Sequence, residues 1–196
     1  MGRLPSFAAP AVSAMAEKAR AMEGGPCRLG DFKGRWRLVR VIEDRRADAI
    51  GTLEGEAVFS VRGGGLFYRE TGTLVYAGLT PVMAERRYLW RQEGGDIVVD
   101  YETGASFHRF ALRHRTPGAV HRCAADLYRA AYDFTDWPGW RAIWTVSGPR
   151  KEYRMVSRYS FRGERDGDDP CARRDKRAQD TPGGRIGTGK PRWRSS

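Results

Sequence analysis

The chain has few cysteines, no long apolar run and no complete catalytic motif, and each shortage excludes a class of protein. Its 196 residues include three cysteines, Cys27, Cys123 and Cys171. Three scattered cysteines are too few for a disulfide framework or a zinc site, so we predict reduced thiols, no metal and a cytoplasmic location. No apolar run reaches the roughly 18 residues that a membrane-spanning helix requires, which predicts a protein without a membrane span.

Motifs for catalysis and phosphate binding are also missing or incomplete. No Ser-His-Asp order, paired carboxylates or metal-ligand spacing stands out along the chain. Residues 184–190 imitate the phosphate-binding pattern G-x-x-x-x-G-K, but no strand precedes them and Pro191 stands where that motif has Ser or Thr. The sequence favours a binding protein and leaves catalysis open as a less favoured alternative.

Basic residues are abundant and set the character of the two ends. The chain has 35 Lys and Arg against 24 Asp and Glu, a net charge of +11, which favours contact with polyanions or anionic ligands. Residues 162–196 mix Arg, Asp, Gly and Pro with almost no large apolar side chains, which predicts a disordered basic tail. Residues 1–28 are interrupted by Pro5 and Pro10, and we interpret them as a flexible leader with a short helix near 14–22, not as a secretory signal.

Residues 29–161 show the pattern of an all-β domain. Short runs rich in aromatic and β-branched residues, such as "GRWRLVRVIED", "VMAERRYLWR" and "DIVVDYE", alternate with turns rich in Gly, Pro or Asp. About ten such runs follow one another at even spacing, without a helical period of comparable length. A meander of this length closes to avoid free edges, so we predict an antiparallel up-and-down β-barrel of about ten strands.

Alternation within each run predicts which side chains point into the barrel. The run "DLYRAAYDF" places Tyr128 and Tyr132 on its inner face, and "GWRAIWTVS" places Trp144 there. The last run, "KEYRMVSRYSF", turns Tyr153 and Ser157 inward and its arginines outward. Its mixture of basic and aromatic residues is therefore explained by the two faces of one wall.

A cationic residue is expected inside the barrel as well. If Tyr88 faces inward, Arg86 on the same strand does too, and a buried guanidinium needs a carboxylate or an anionic ligand beside it. Glu70, on the face of Tyr68 in the preceding strand, is the favoured partner. A ligand carboxylate or phosphate held by two hydrogen bonds is the alternative.

The residues also resemble known families. "GRW" at 34–36 resembles the G-x-W signature of the calycin superfamily of lipocalins and fatty-acid-binding proteins. That resemblance implies that Trp36 plugs the barrel base and that Arg158 packs across it, reaching over the rim because alternation turns it outward. The chain as a whole resembles an uncharacterised bacterial family, domain of unknown function 6314, through "GRWRLVRVIED", "ERRYLWR", "FHRF", "DLYRAAYDF" and "GPRKEYRMVSRY". This second resemblance implies no known activity.

His108 and His121 each lie in a strand, where a histidine serves as a base, an iron ligand or a hydrogen-bonding core residue. The core role is favoured for both. Related heme-binding barrels of the nitrobindin type hold iron through one histidine, so heme remains an open alternative although no cofactor is predicted.

These observations predict a barrel that binds a small, partly apolar molecule with an acidic or carbonyl group. Two alternatives stay open: single-stranded nucleic-acid binding by an outer stripe of Arg129, Arg141, Arg154 and Arg158 with the basic tail, and an isomerase, cyclase or lyase. The oligomeric state is not predicted. The expected ligand-binding residues are Tyr68, Arg86, Tyr88, His108, His121, Tyr128, Tyr132, Trp144, Tyr153 and Ser157.

Overall fold

The computed structural model of the chain describes residues 24–163. A short 3₁₀ helix, Leu29–Phe32, precedes ten strands in this part of the chain, and no helix there is long and apolar enough to cross a membrane. The strands are β1 (Gly34–Asp44), β2 (Ala49–Arg62), β3 (Gly65–Tyr76), β4 (Val82–Glu93), β5 (Asp96–Tyr101), β6 (Ser106–Ala111), β7 (Gly118–Cys123), β8 (Asp126–Asp133), β9 (Trp140–Gly148) and β10 (Lys151–Arg162).

The strands form one antiparallel sheet in the order β6-β5-β4-β3-β2-β1-β10-β9-β8-β7. Consecutive strands pair as hairpins except β6 and β7, and β10 returns to pair with β1, so the sheet curls on itself. In the described part of the chain β6 and β7 stand at the two ends of this order, and the barrel is therefore nearly closed. The predicted all-β barrel of about ten strands is confirmed.

Alternation along β10 follows the prediction. Met155, Ser157 and Tyr159 are buried, whereas Arg158 between them is exposed. The ladder pairs Ser157 with Arg40 of β1, which carries the same inner face across to the first strand. The mixture of basic and aromatic residues in this stretch is thus divided between an outer and an inner face.

The base of the barrel is an aromatic cluster around Trp36. This side chain is fully buried, and its indole Nε1–H donates to the carbonyl oxygen of Phe32 at 2.8 Å. The rings of Trp137 and Phe161 lie 5.5 and 5.0 Å from it. Gly34 opens β1 at φ +125°, and a Cβ there would come within 2.9 Å of the Phe161 ring, so the strand begins with glycine for two reasons.

The expected place of Arg158 across the base is wrong. The register pairs Trp36 with Phe161 and Val39 with Arg158, so Arg158 lies three residues up the strand and on the outer face. A side chain cannot change faces without a shift in register. Phe161 therefore occupies the position that the resemblance implied for the arginine.

Two other expectations concern regions near the chain ends. The predicted leader and tail fall, apart from residues 24–28 and 162–163, outside the described residues, and their bounds stay a prediction. Cys123 is free and exposed, but Cys27 is disulfide-bonded, so the expectation of three reduced thiols is not met.

Candidate functional site

The barrel encloses a cavity of about 190 Å³ between the aromatic base and the opposite end, which we call the mouth. The mouth is formed by turns such as 45–48 and 77–81, which follow β1 and β3. Nine of the ten expected ligand-binding residues line this cavity, which places them together but does not test their role. They are Tyr68, Arg86, Tyr88, His108, Tyr128, Tyr132, Trp144, Tyr153 and Ser157.

The tenth residue, His121, packs beside the cavity. It is half-buried on β7, with its ring 5.0 Å from Phe107 and 5.9 Å from Tyr128. His121 is therefore a ring-packing residue of the wall in this structure.

A buried ion pair crosses the middle of the barrel. Arg40 of β1 donates from both Nη atoms to the two carboxylate oxygens of Glu70 on β3, each at 2.7 Å. Arg40 Nε–H donates to the Ser157 hydroxyl at 2.7 Å, and the Tyr68 hydroxyl donates to Glu70 at 2.5 Å. Arg40 and Glu70 are 4% and 3% exposed, so this group ties β1, β3 and β10 together in a water-poor interior.

The surroundings keep this pair ionised. Burial opposes ionisation of Glu70, but the hydrogen bonds and charge of Arg40 outweigh it, so the pKa of the carboxyl is lowered. Burial and the neighbouring Glu70 charge raise the pKa of Tyr68 well above its usual range, so that phenol stays protonated and donates. The carboxylate is therefore occupied by donors from the barrel itself.

Arg86 differs from its expected state. It points into the cavity as predicted, but its side chain is 43% exposed, because it lies near the mouth end of β4. Its Nε is 3.6 Å from Glu70 Oε1, farther than the Arg40 contacts, and its Nη2 is 3.9 Å from the Met155 sulfur. The expected ion pair of Arg86 with Glu70 is thus present, but Arg86 is half-exposed and the main partner of Glu70 is Arg40.

Parallel rings form one wall of the cavity. The Phe107 ring stacks on Tyr88 at 5.3 Å and on Trp144 at 5.2 Å, with interplanar angles of 9° and 6°. A β-bulge between Val99 and Asp100 lets the consecutive residues Phe107 and His108 both face the cavity. The wall is suited to a flat apolar surface of a ligand.

His108 is held neutral deep in the cavity. Its Nε2 lies 2.6 Å from the Tyr132 hydroxyl, and it is 6% exposed. Burial, with a smaller effect of His121, lowers the pKa of His108 from 6.5 to about 3. The imidazole is therefore uncharged at neutral pH.

This neutral histidine should make stability depend on pH. Since the unfolded chain binds the His108 proton from about pH 6.5 and the folded chain only near 3, stability should fall as the pH falls through that window. From these values we expect a loss of about 2 kcal/mol between about pH 7.5 and pH 5. Urea unfolding at the two pH values measures it, and His108→Gln should remove that part of the loss.

The matched control is His114→Gln, which changes an exposed histidine in the β6–β7 turn. That variant should keep the pH dependence of the wild-type protein. An unchanged pH dependence in His108→Gln would contradict the assignment of a neutral buried imidazole.

The outer arginines that favoured nucleic-acid binding are partly paired with acids. Arg141 forms an ion pair with Asp133, and Arg154 lies 3.6 Å from Glu43. Arg129 and Arg158 are exposed. Nucleic-acid binding by this stripe stays a prediction.

Arg40 and Phe107 are among the cavity residues that sequence reasoning missed, and the two were missed for different reasons. Arg40 lies two positions beyond the inward-facing Leu38 in β1, so alternation from Trp36 could have found it. Phe107 faces inward through the β-bulge, which no pattern in the sequence indicated. Within residues 24–163, no group of three or more His, Cys, Asp or Glu side chains is placed to hold a metal ion.

The fold and the cavity together define a class: a nearly closed, ten-stranded antiparallel barrel, consistent with the calycin resemblance, with an aromatic interior space. The model of DUF6314, a family of unknown function, matches residues 32–161, and the chain belongs to this family. No curated protein matches the chain.

One similar solved structure is that of the S-type phycobiliprotein lyase CPES from Guillardia theta. The TM-score is 0.52 and the sequence identity 7%, with 70% of this chain and 92% of that chain covered. At this identity the likeness shows a shared barrel fold.

Proposed function

We propose that this protein binds a small, partly apolar molecule carrying an acidic group, with the acid at Arg86 and the apolar part against the aromatic wall. The observation that carries the proposal is the half-exposed Arg86 guanidinium at the open end of an aromatic cavity. Such a combination of apolar surface with a few polar groups is the usual composition of a ligand site.

The charges of the cavity support an anionic group on the ligand. Arg40 and Glu70 neutralise each other by two short hydrogen bonds, and His108 is uncharged. Arg86 adds a further positive charge. Its Nε lies 3.6 Å from Glu70, whose two carboxylate oxygens already accept hydrogen bonds from Arg40. A ligand carboxylate or sulfonate would bind this guanidinium with charge-assisted hydrogen bonds.

The arrangement of Tyr88, Phe107 and Trp144 supports a flat apolar group. Their rings lie nearly parallel along one side of the cavity and offer faces and edges to a planar molecule. The barrel fold shared with a phycobiliprotein lyase is compatible with this proposal. A lyase activity is the enzymatic alternative that this shared fold suggests. Turnover of a bound molecule, as opposed to its retention, would distinguish the two.

Arg86→Gln should weaken binding of an acidic aromatic probe and spare its neutral analogue. Anilinonaphthalene sulfonate and anilinonaphthalene share one aromatic skeleton and differ in the anionic group. We expect the variant to bind the sulfonate about tenfold to a hundredfold more weakly, because charge-assisted hydrogen bonds are lost. Binding of the neutral probe should change less than about twofold. Fluorescence titration measures both.

The matched control is Arg87→Gln, which removes a guanidinium from the outer face of the same strand, where Arg87 pairs with Glu85. Its affinity for both probes should equal that of the wild-type protein. Equal losses in the Arg86 and Arg87 variants would show that general charge, and not the cavity, attracts the sulfonate.

A further inference from the structure

The deep end of the cavity contains polar hydrogens that the barrel leaves without acceptors. Four buried side-chain nitrogens among the described residues have no hydrogen-bond partner, and three of them belong to residues that line the cavity. These three are Trp90 Nε1, His108 Nδ1 and Trp140 Nε1. These residues are only 5%, 6% and 3% exposed, so the three nitrogens are shielded from bulk solvent and lack a partner in the protein.

The three groups lie around one residue. The Tyr132 ring is 6.5 Å from Trp90, 5.9 Å from His108 and 6.3 Å from Trp140, measured between centroids. We call these four side chains the cavity floor. Arg86 lies on the other side of the cavity, toward the mouth, where β4 begins.

Trp90, Trp140 and the His108–Tyr132 pair each leave one hydrogen-bond donor without an acceptor. An indole nitrogen can only donate, which settles Trp90 and Trp140. A neutral His108 and a protonated Tyr132 share one hydrogen bond but carry two polar hydrogens. If Tyr132 donates to Nε2, the Nδ1–H hydrogen has no acceptor; if Nε2–H donates to Tyr132, the phenol hydrogen has none. Either tautomer therefore leaves one donor free.

We infer that the floor binds an oxygen acceptor on the ligand, namely a neutral carbonyl group, at the end of the molecule opposite its acid. This inference rests on the proposed function and narrows its ligand class. Among the described residues that line the cavity, only Arg40 and Arg86 are cationic, and Arg40 is already paired with Glu70. Without a free positive charge at this depth, a second carboxylate would lose its hydration uncompensated, whereas a carbonyl accepts hydrogen bonds at a smaller desolvation cost.

The ligand class that follows is an elongated, planar aromatic or conjugated acid with a carbonyl group at its far end. The acid meets Arg86, the ring system lies along Phe107, and the carbonyl oxygen reaches the floor donors. Because the unmatched nitrogens expose almost no surface, the floor side chains must shift slightly for the carbonyl oxygen to reach them.

Two matched probes test the inference: 6-acetyl-2-naphthoate, which has both the acid and a carbonyl, and 6-ethyl-2-naphthoate, which lacks the carbonyl. Isothermal titration calorimetry with the full chain should show that the acetyl compound binds about tenfold or more tightly than the ethyl compound. The infrared carbonyl band of the bound acetyl compound should shift to lower frequency than in an apolar solvent.

Variants of the floor separate recognition from folding. Trp90→Phe and Trp140→Phe keep an aromatic ring but remove one donor, and each should reduce the preference for the acetyl compound and move its carbonyl band back. Trp137→Phe is the matched control, because Trp137 packs on Trp36 in the base outside the cavity lining. It should leave both readouts unchanged. Near-ultraviolet circular dichroism verifies folding, and the Trp140 variant serves if the Trp90 variant unfolds.

The outcomes are distinguishable. Equal affinities of the two probes for the wild-type protein, with both weakened by Arg86→Gln, would overturn the carbonyl site and leave the proposed function standing. Absence of binding by both probes would count against the acid site as well as the floor. A preference for the acetyl compound that survives in both floor variants would show that other groups recognise the carbonyl.

Discussion

Trp36→Ala should lower the free energy of unfolding by about 3–5 kcal/mol, the largest single effect that we expect in the base. The ring is fully buried, contacts Trp137, Trp140 and Phe161, and donates its indole hydrogen to the Phe32 carbonyl. Removing it creates a cavity too deep inside the aromatic cluster to collapse and leaves that carbonyl without its donor. Urea unfolding followed by circular dichroism measures the change.

The control is Arg158→Ala, which removes the residue that the family resemblance placed across this ring. Since Arg158 is exposed and lies opposite Val39, its loss should change stability by no more than about 0.5 kcal/mol. A large destabilisation by Arg158→Ala together with a small one by Trp36→Ala would contradict the arrangement of the base.

Glu70→Gln should destabilise the protein by about 3–5 kcal/mol, because it leaves the Arg40 guanidinium buried without a counter-charge. The substitution also deprives the Tyr68 hydroxyl of its charged acceptor. The pKa of Glu70 is lowered, so its stabilising contribution is present above the usual carboxyl range and is lost as the pH falls through the folded-state value. The Gln variant should lack this acid-dependent loss.

Thermal and urea unfolding near neutral pH and in acid measure the destabilisation by Glu70→Gln and the dependence of stability on acid. Glu85→Gln is the matched control, because Glu85 pairs with Arg69 on the outer face and exposed ion pairs contribute about 0–1 kcal/mol. A Glu70→Gln variant as stable as the Glu85→Gln variant would show that the buried pair does not hold the three strands together.

The strands and their faces were predictable because alternation and turn residues are local properties of the sequence. The burial of Met155, Ser157 and Tyr159 follows from period two alone, and the inward position of Arg86 follows from Tyr88 on the same strand. These predictions needed no knowledge of which strands pair.

The polar centre was less predictable because it depends on non-neighbouring strands. Glu70 was assigned to Arg86, its partner in the ladder, since β3 and β4 follow each other in the chain. Arg40 reaches Glu70 from β1 across the intervening β2. The distance between these two residues depends on the curvature of the nearly closed sheet. Phe107 turned inward through a bulge, and bulges leave little trace in composition.

The break in the strand order between β6 and β7 has a consequence for the width of the barrel. Because the edge strands β6 and β7 do not pair with each other, the barrel can widen between them without breaking the ladder hydrogen bonds of the sheet. Contacts such as the Phe107–His121 ring contact and the hydrogen bond between His108 and Tyr132 connect the strands on the two sides of this gap. Side-chain contacts, and not ladder hydrogen bonds, therefore join β6 and β7, and a ligand that displaces them can be larger than the cavity of about 190 Å³.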